Sequence, residues 1–147
     1  MNLAIFQPDI PQNTGAIIRI CSCFNINIDI IHPTSFALTS KSMNRVAMDY
    51  INKVKINQYD SWEIYKSSIK SRIILLSTHG KKTHTNFKFK LDDNLLVGKE
   101  SAGVPDYVHK QVDEIIRVPI SKNSRSLNVS VASAIVISEV NRQLKII

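Results

Sequence analysis

The stretch from Glu114 to Val140, EIIRVPISKNSRSLNVSVASAIVISEV, decides the fold because it joins a β-strand to a long apolar helix through a polar loop. Its first residues, Glu114 to Pro119, are apolar on both faces and β-rich, which is typical of a strand buried in a parallel sheet. A helix is predicted from about Leu127 to Leu144, with Ser126 as its N-cap. This helix is apolar around much of its circumference, so we expect it to be sandwiched in the core or in a subunit interface.

The rest of the chain alternates short apolar runs with helical patterns, which indicates an α/β fold. The 147 residues contain no repeat or linker that would split them, so one domain over residues 1–147 is predicted, with a mostly parallel sheet flanked by helices. Strands are predicted at Asn2–Phe6, Ile26–Ile31, Ile73–Ser77 and Asn94–Gly98, with an edge strand at Lys53–Asn57, and further helices at Ala16–Phe24, Lys41–Met48 and Ser61–Ile69.

The composition favours a protein that binds a polyanion. Hydrophobic residues make up 44% and charged residues 21% of the chain, which argues against disorder and against a membrane span. Lys and Arg number 19 against 12 Asp and Glu, a net charge of +7 that suits nucleic acid. The alternative is a drift toward A/T-rich codons, which the wealth of Lys, Asn and Ile also indicates.

The cysteines, the histidines and the N-terminus indicate whether disulfides, a metal site or a signal peptide are present. Cys21 and Cys23 lie in a predicted helix, where positions two apart do not face each other, so no disulfide is expected. The four histidines are scattered without the spacing of metal ligands, so no metal site is expected. The N-terminus has neither a basic leader nor a long apolar run, which predicts no signal peptide and a cytoplasmic location.

Glycine is rare in this chain, and its positions indicate where a ligand binds. The four glycines, Gly15, Gly80, Gly98 and Gly103, are all predicted at or just beyond the carboxyl ends of strands, where open α/β sheets bind ligands. Their alternative role is in the strand-to-helix turns themselves. The single glycine of QNTGAIIR excludes a dinucleotide fingerprint, and Asp93 stands where a P-loop needs glycine.

Three local motifs carry candidate chemistry. In the first, Asn13–Arg19 (NTGAIIR), Asn13 or Thr14 can cap a helix, and Gly15 leaves space for a phosphate or sugar to reach Arg19, unless Arg19 is merely solvated. The second, residues 98–105 (GKESAGVP), holds a carboxylate in a glycine-bounded loop, a weak signal by itself. The third places Ser124, Arg125, Ser126 and Asn128 at the head of the apolar helix, where capping explains one serine but not the whole cluster.

Taken in order, NTGAIIR, GKESAGVP and RVPISKNSRSLNVSVASA resemble the three motifs of the SPOUT RNA 2′-O-methyltransferases. With FQPDIPQNTG and HPTSFAL, the chain is most similar to the small TrmL type, which methylates the wobble nucleotide 34 of certain tRNAs. The second motif departs from that type, in which Pro usually stands at the place of Lys99 and Thr-Arg at the places of Ser101 and Ala102.

The resemblance implies an α/β fold whose C-terminal part forms a deep trefoil knot, a rare exception to unknotted topology. It also implies that S-adenosyl-L-methionine binds bent in the knot, contacted mainly by backbone groups of three loops. The cofactor-binding residues that it implies are Leu76, Thr78, Gly98, Gly103, Val118, Ile120, Ser126 and Leu127.

The resemblance implies catalytic roles for Arg19, Asn13, Glu100, Ser126 and Asn128. Because a guanidinium is effectively never deprotonated, we interpret Arg19 as a clamp for the RNA phosphate and a stabiliser of charge on the attacking oxygen. Glu100 either orients Arg19 or Asn13, or accepts the proton of the ribose hydroxyl through water.

The expected partners are tRNA and a second copy of the chain, since the family is dimeric through the C-terminal helix and the first-motif region. The segment HGKKTHTNFKFK (79–90), with Phe87 and Phe89 between lysines, suits single-stranded RNA, although a half-buried strand shows the same alternation. Two alternatives to a tRNA methyltransferase stay open at this point: methylation of ribosomal RNA, and a non-catalytic RNA-binding module of the same fold.

Overall fold

The buried apolar runs form one parallel sheet. The computed structural model describes residues 1–39 and 45–146. Within these residues seven strands are present: β1 (Asn2–Phe6), β2 (Asn27–Ile31), β3 (Ile56–Tyr59), β4 (Ile73–Leu76), β5 (Lys82–Thr83), β6 (Asn94–Val97) and β7 (Glu114–Arg117). Their order across the sheet is β3-β2-β1-β6-β4-β7-β5, and every neighbouring pair runs parallel. The prediction of an α/β fold with a mostly parallel sheet is confirmed.

Helices cover both faces of this sheet. Along β1, Leu3 and Ile5 point into one core and Ala4 and Phe6 into the other, because successive side chains of a strand alternate between its faces. The first core is closed by α1 (Pro11–Cys23) and α4 (Val129–Leu144), and the second by α2 (Trp62–Ser68) and α3 (Asp106–Gln111). Two short 3-10 helices span Met48–Lys53 and His84–Asn86.

The C-terminal strands require crossovers in the chain. Strand β4 lies between β6 and β7, although β6 follows β5 in the sequence, and β5 forms the edge of the sheet beyond β7. The passage of the chain end through such a crossover would make the trefoil knot that the resemblance implies. That knot stays a prediction.

Helix α1 begins earlier than its sequence pattern predicts, at Pro11 rather than at Ala16. Proline suits the first turn of a helix because that turn leaves its N–H groups without intrahelical partners. Asn13 and Thr14 therefore lie inside the helix, and the prediction that one of them caps it is wrong.

Helix α4 begins later than predicted, at Val129 rather than at Leu127, and Ser126 is not its cap. Asn128 caps it instead, with its side-chain oxygen accepting a hydrogen bond from the N–H of Ser130 at 2.9 Å. An amide oxygen at this position satisfies an N–H group that the first turn leaves free. The third motif therefore supplies the cap, two residues after the serine that the sequence suggests.

The segment between β2 and β3 also differs from its prediction. The edge strand lies at Ile56–Tyr59 and not at Lys53–Asn57, because Met48–Lys53 is helical and β3 pairs with β2 from Ile56 onward. The helix predicted at Lys41–Met48 falls partly on residues 40–44, which lie outside the described residues, and residues 45–47 are helical.

Helix α4 is buried on one side only within a single chain. Ser133, Val136, Ile137 and Val140 are buried against the sheet and α1, whereas Val131 is 48% exposed. A helix sandwiched on all sides inside the core of one chain is thus excluded. Neither α4 nor any other helix of residues 1–39 and 45–146 combines the length and apolar character needed to cross a membrane.

A buried ion pair next to β6 allows a stability prediction. The fully buried carboxylate of Asp93 accepts hydrogen bonds from Nε and Nη2 of Arg72 at 2.8 and 2.7 Å. Arg72→Ala leaves this carboxylate buried without its cation, so we expect the free energy of unfolding in urea to fall by about 3 kcal/mol. Arg142→Ala breaks the pair with Glu139, but Arg142 is 70% exposed to solvent, so the loss of stability is expected to be clearly smaller than in Arg72→Ala. Equal losses in the two variants would contradict this account.

Candidate active site at the carboxyl edge of the sheet

A cavity of about 970 Å³ lies where β4, β6 and β7 end. Carboxyl ends of parallel strands meet at one edge of a sheet, and this edge is the usual ligand site of open α/β folds. The volume is at the upper end of the range for small-molecule sites. Its walls come mainly from residues 75–79 after β4, residues 97–104 after β6 and residues 118–132 after β7.

The cavity brings together most of the residues singled out in the sequence. Every residue predicted to bind the cofactor lines it: Leu76, Thr78, Gly98, Gly103, Val118, Ile120, Ser126 and Leu127. Four of the five catalytic candidates line it as well: Asn13, Glu100, Ser126 and Asn128. Arg19 does not line the cavity within a single chain. In the described part of the chain, no three His, Cys, Asp or Glu side chains are grouped as a metal site requires.

The loop of the second motif is closed on itself by two glycines. Lys99 and Gly103 exchange backbone hydrogen bonds of 3.1 and 2.8 Å, and a Cβ on Gly98 would lie 2.4 Å from the carbonyl carbon of Gly103. Gly103 adopts φ +67°, which side-chain-bearing residues rarely adopt, and a Cβ there would meet nothing within 4 Å. The close approach at Gly98 is therefore made by the protein backbone, while the space beside Gly103 is open.

Gly15 and Gly80 also lie against other backbone segments, as Gly98 does, so the expectation that all four glycines leave room for a ligand is wrong. Gly15 lies inside α1, where an added Cβ would be 2.6 Å from the carbonyl oxygen of Val46. At Gly80 an added Cβ would be 2.5 Å from the carbonyl carbon of Ile116. Both positions need glycine because another backbone segment passes against them.

A chain of hydrogen bonds connects the three motifs at the cavity. Asn128 donates from its side-chain nitrogen to the side-chain oxygen of Asn13 at 2.9 Å, while its own oxygen caps α4. Burial raises the pKa of the Glu100 carboxyl group, and the neighbouring side chain of Asn13 partly opposes this effect by favouring the ionised form. Asn13 lies one turn into α1, so the early start of that helix places its amide between the other two motifs.

The structure adds Asp9 to this site, a residue that belongs to none of the three motifs. Its carboxylate accepts hydrogen bonds from the N–H of Glu100 at 3.1 Å and from the hydroxyl of Ser101. The N–H of Asp9 is 3.4 Å from Oε2 of Glu100, to which it donates. The position of Asp9 between β1 and the first motif is the signal that could have revealed it.

The carboxyl groups of Asp9 and Glu100 have opposite pKa shifts. The hydrogen bond with Glu100 lowers the pKa of Asp9 to about 2. Burial first, and then the hydrogen bond with Asp9, raise the pKa of Glu100 above its ordinary value. Asp9 is thus the ionised member of the pair, and Glu100 is the member that takes up a proton more readily than a free carboxylate.

Arg19 lies on the exposed face of α1, in a cluster of cations around an aromatic ring. Its guanidinium carbon is 5.1 Å from the centroid of the Tyr50 ring, and Nζ of Lys53 is 5.4 Å from the same centroid. Cation–π contacts of this kind hold a guanidinium in place without neutralising it. Arg19 is therefore oriented and still carries the charge that an anionic ligand would need.

The segment 79–90 does not offer stacking aromatics. Phe87 and Phe89 are 4% and 6% exposed and pack edge to face at 4.9 Å in the core beside α4. Of the two interpretations of this segment, the half-buried one is therefore correct, because both rings lie in the core and cannot stack on RNA bases. The alternation with lysine reflects a half-buried segment, although only Lys82–Thr83 of it is a strand.

Fold and site together define a class: parallel α/β domains that bind a small molecule at the carboxyl edge of the sheet, beside a cluster of polar groups able to transfer a proton. Residues 1–138 match the family model of the SpoU rRNA methylases. This chain belongs to that family, and the membership predicted from the three motifs is confirmed.

Similar proteins cover nearly all of the chain. It is 40% identical over 145 residues to the tRNA (cytidine(34)-2′-O)-methyltransferase of Beijerinckia indica, covering 97% of this chain and 91% of that protein. A structure described as "Structural insights into the 2-OH methylation of C/U34 on tRNA" matches with a TM-score of 0.93 at 30% identity, covering 98% and 95% of the two chains. The SpoU methyltransferase AviRb from Streptomyces viridochromogenes, in complex with AdoMet, matches with a TM-score of 0.90 at 19% identity over 99% of this chain and 58% of that one, which shows a shared fold.

Proposed function

We propose that this chain transfers a methyl group from S-adenosyl-L-methionine to the ribose 2′-hydroxyl of nucleotide 34, the wobble cytidine or uridine of tRNA. The observation that carries the proposal is the meeting of all three motifs at one cavity, linked through Asn128, Asn13 and Glu100. The name and the high coverage of the relative from Beijerinckia indica support the choice of tRNA and of nucleotide 34.

The cavity fits the proposed cofactor. Leu76, Val118, Ile120 and Leu127 give it apolar walls suited to an adenine ring, and the open side of Gly103 leaves backbone groups within reach of a ligand. When bound, S-adenosyl-L-methionine supplies an electrophilic methyl group. Thr78, Gly98 and Ser126 are the other proposed binding residues, and all three line the same cavity.

The residues around the cavity have different roles in the reaction at the ribose. Glu100 accepts the proton of the 2′-hydroxyl, directly or through one water, because its raised pKa makes its ionised form a stronger base than a free carboxylate. Asn13 and Asn128 orient Glu100 through their hydrogen bonds, and Ser126, exposed at the cavity, presents a hydroxyl to the substrate. Arg19 binds the RNA phosphate and stabilises negative charge on the attacking oxygen.

A second copy of the chain is the proposed partner at the exposed ends of α1 and α4. Ile10, Leu127 and Val131 are large apolar residues exposed there, close to the Asn13 and Asn128 contact that joins the two helices. Exposed apolar surface of this kind is typical of an interface. A dimer would also bring the charge of each chain, +7, to one shared tRNA surface.

We expect Val131→Asp to convert the dimer into a monomer, because it places a carboxylate in the proposed apolar interface. Sedimentation velocity measures the change. Ile64→Asp is the matched control, since Ile64 is 50% exposed on α2, on the opposite face of the sheet, against 48% for Val131. A monomeric wild type, or a dimer that survives Val131→Asp, would contradict the proposed interface.

We further propose that one domain, residues 1–147, carries this whole function and works in the cytoplasm, where it meets its tRNA. The catalytic domain itself then supplies the tRNA surface. The +7 charge and the cationic cluster of Arg19 and Lys53 support this assignment.

The test is methylation with labelled S-adenosyl-L-methionine, using total tRNA and ribosomal RNA in separate reactions. We expect label in tRNA, and nuclease mapping followed by mass spectrometry is expected to place it on the ribose of nucleotide 34. Label in ribosomal RNA alone would favour the alternative substrate. RNA binding without any methylation would favour the non-catalytic alternative, and either result would overturn the proposal.

A further inference from the structure

Asp9 lies in the connection between β1 and α1, and it contacts the loop that carries Glu100. Its carboxylate accepts from the N–H of Glu100 and from the Ser101 hydroxyl, and its own N–H donates to the Glu100 carboxyl group. These hydrogen bonds span 91 and 92 positions of sequence, so they fix two segments that have no local reason to lie together. Asp9 lies only three residues beyond Phe6, the buried last residue of β1.

We propose that Asp9 is a positioning residue, which fixes the orientation of Glu100 at the cavity and sets the pH range in which Glu100 accepts a proton. The inference rests on the proposed function, in which Glu100 is the proton acceptor. Asp9 itself does not line the cavity, so it acts through Glu100 and not on the substrate.

The negative charge of Asp9 is the reason why it affects the pH range in which Glu100 accepts a proton. A carboxylate beside a carboxyl group disfavours ionisation of its neighbour, and the hydrogen bond between them is strongest when one of them carries a proton. Burial is the largest cause of the raised pKa of Glu100; the hydrogen bond with Asp9 raises this pKa further, and the contact with Asn13 opposes both. Other ionisable side chains that line the same cavity are Lys99 of the same loop, His79 after β4, and Asp106 and His109 of α3.

Asp9→Asn separates charge from shape, because it is nearly isosteric and still offers an oxygen to the N–H of Glu100. We expect the maximal rate of single-turnover methyl transfer to fall about tenfold, as a weaker base catalyses less well. The acid limb of the rate profile is expected to move to lower pH, since the pKa of Glu100 falls when the neighbouring charge is removed. Asp60→Asn, which removes an exposed carboxylate, is the matched control and should leave both rate and profile unchanged.

Ser101→Ala tests only whether Asp9 holds the loop of Glu100 in place, since it removes one hydrogen bond to Asp9 and leaves both carboxyl groups. Its rate is expected to fall about threefold with an unmoved acid limb, which corresponds to a free-energy loss typical of one hydrogen bond. If Asp9 only stabilised the fold, Asp9→Asn would lower the rate without moving the acid limb of the pH–rate profile. An unmoved limb in Asp9→Asn would therefore overturn the proposal.

A measurement without substrate keeps this inference separate from the proposed function. Carboxyl ¹³C NMR titration of the ligand-free protein reports the pKa of Glu100 directly, and we expect a lower pKa in Asp9→Asn than in the wild type. A lower pKa in a protein that methylates no RNA would refute the proposed function and leave the link between Asp9 and Glu100 in place. An unchanged pKa would overturn that link, whatever the activity.

Discussion

Methyl transfer to tRNA by the Arg19→Ala variant is expected to fall about 10³-fold, while the dissociation constant for S-adenosyl-L-methionine changes less than about threefold. The rate falls because the guanidinium binds a phosphate and stabilises charge on the attacking oxygen, and loss of one such donor costs catalysis by about this factor. Cofactor affinity is preserved because Arg19 lies outside the cavity, on the exposed face of α1 beside Tyr50. Single-turnover kinetics and isothermal titration calorimetry measure the two quantities.

Two variants control the experiment with Arg19. Arg19→Lys keeps the charge and loses the planar fork, so its rate is expected between those of the wild type and Arg19→Ala. Lys66→Ala removes one positive charge from α2, on the opposite face of the sheet, and should leave the rate within about twofold because exposed ion pairs contribute little. Near wild-type methylation by Arg19→Ala would refute the role given to Arg19.

Glu100→Gln is expected to lower the single-turnover rate by about 10²- to 10⁴-fold, the usual contribution of a general base. The amide can still accept from the N–H of Asp9, so the loop is expected to keep its place and the cofactor its affinity. The wild-type rate should fall as the pH drops through the pKa of Glu100, since the protonated acid cannot accept the ribose proton. That acid limb should be missing in Glu100→Gln.

Glu63→Gln is the matched control for Glu100→Gln, because Glu63 is an exposed carboxylate in the first turn of α2. It should show the wild-type rate and the wild-type pH profile. If Glu100→Gln kept the acid limb, another group would be the proton acceptor, and Glu100 would have only an orienting role.

Sequence patterns predicted the buried strands well and the ends of the helices less well. Asn2–Phe6 is a strand as predicted, because a short run that is apolar at every position from Leu3 onward suits a strand buried on both faces. The ends of the helices depend on single hydrogen bonds, and these are harder to predict from the sequence. Ser126 and Asn128 are both good caps, and only the chain path shows that the oxygen of Asn128 meets the free N–H groups.

Phe87 and Phe89 show that a binding surface is also difficult to predict from a local sequence pattern. Alternating lysine and phenylalanine is compatible with an RNA-stacking surface and with a half-buried segment, since both place apolar rings between solvated cations. Tertiary packing decided between them by placing both rings in the core beside α4. Asp9 was missed for the opposite reason, because its partners, Glu100 and Ser101, are far away in the sequence.

The fold class, the family and a group of residues that line the cavity could be predicted from the sequence, because the buried strands and the three motifs are local patterns with specific composition. Only the tertiary structure decided how those residues work together. The crossovers of a parallel sheet bring Asp9, Asn13, Glu100 and Asn128 into one hydrogen-bonded chain, which no local pattern contains. The same structure leaves Arg19 outside the cavity and one side of α4 open. Proton affinity and interfaces depend on what lies beside a group in space, and spatial neighbours are fixed only when the whole chain is folded.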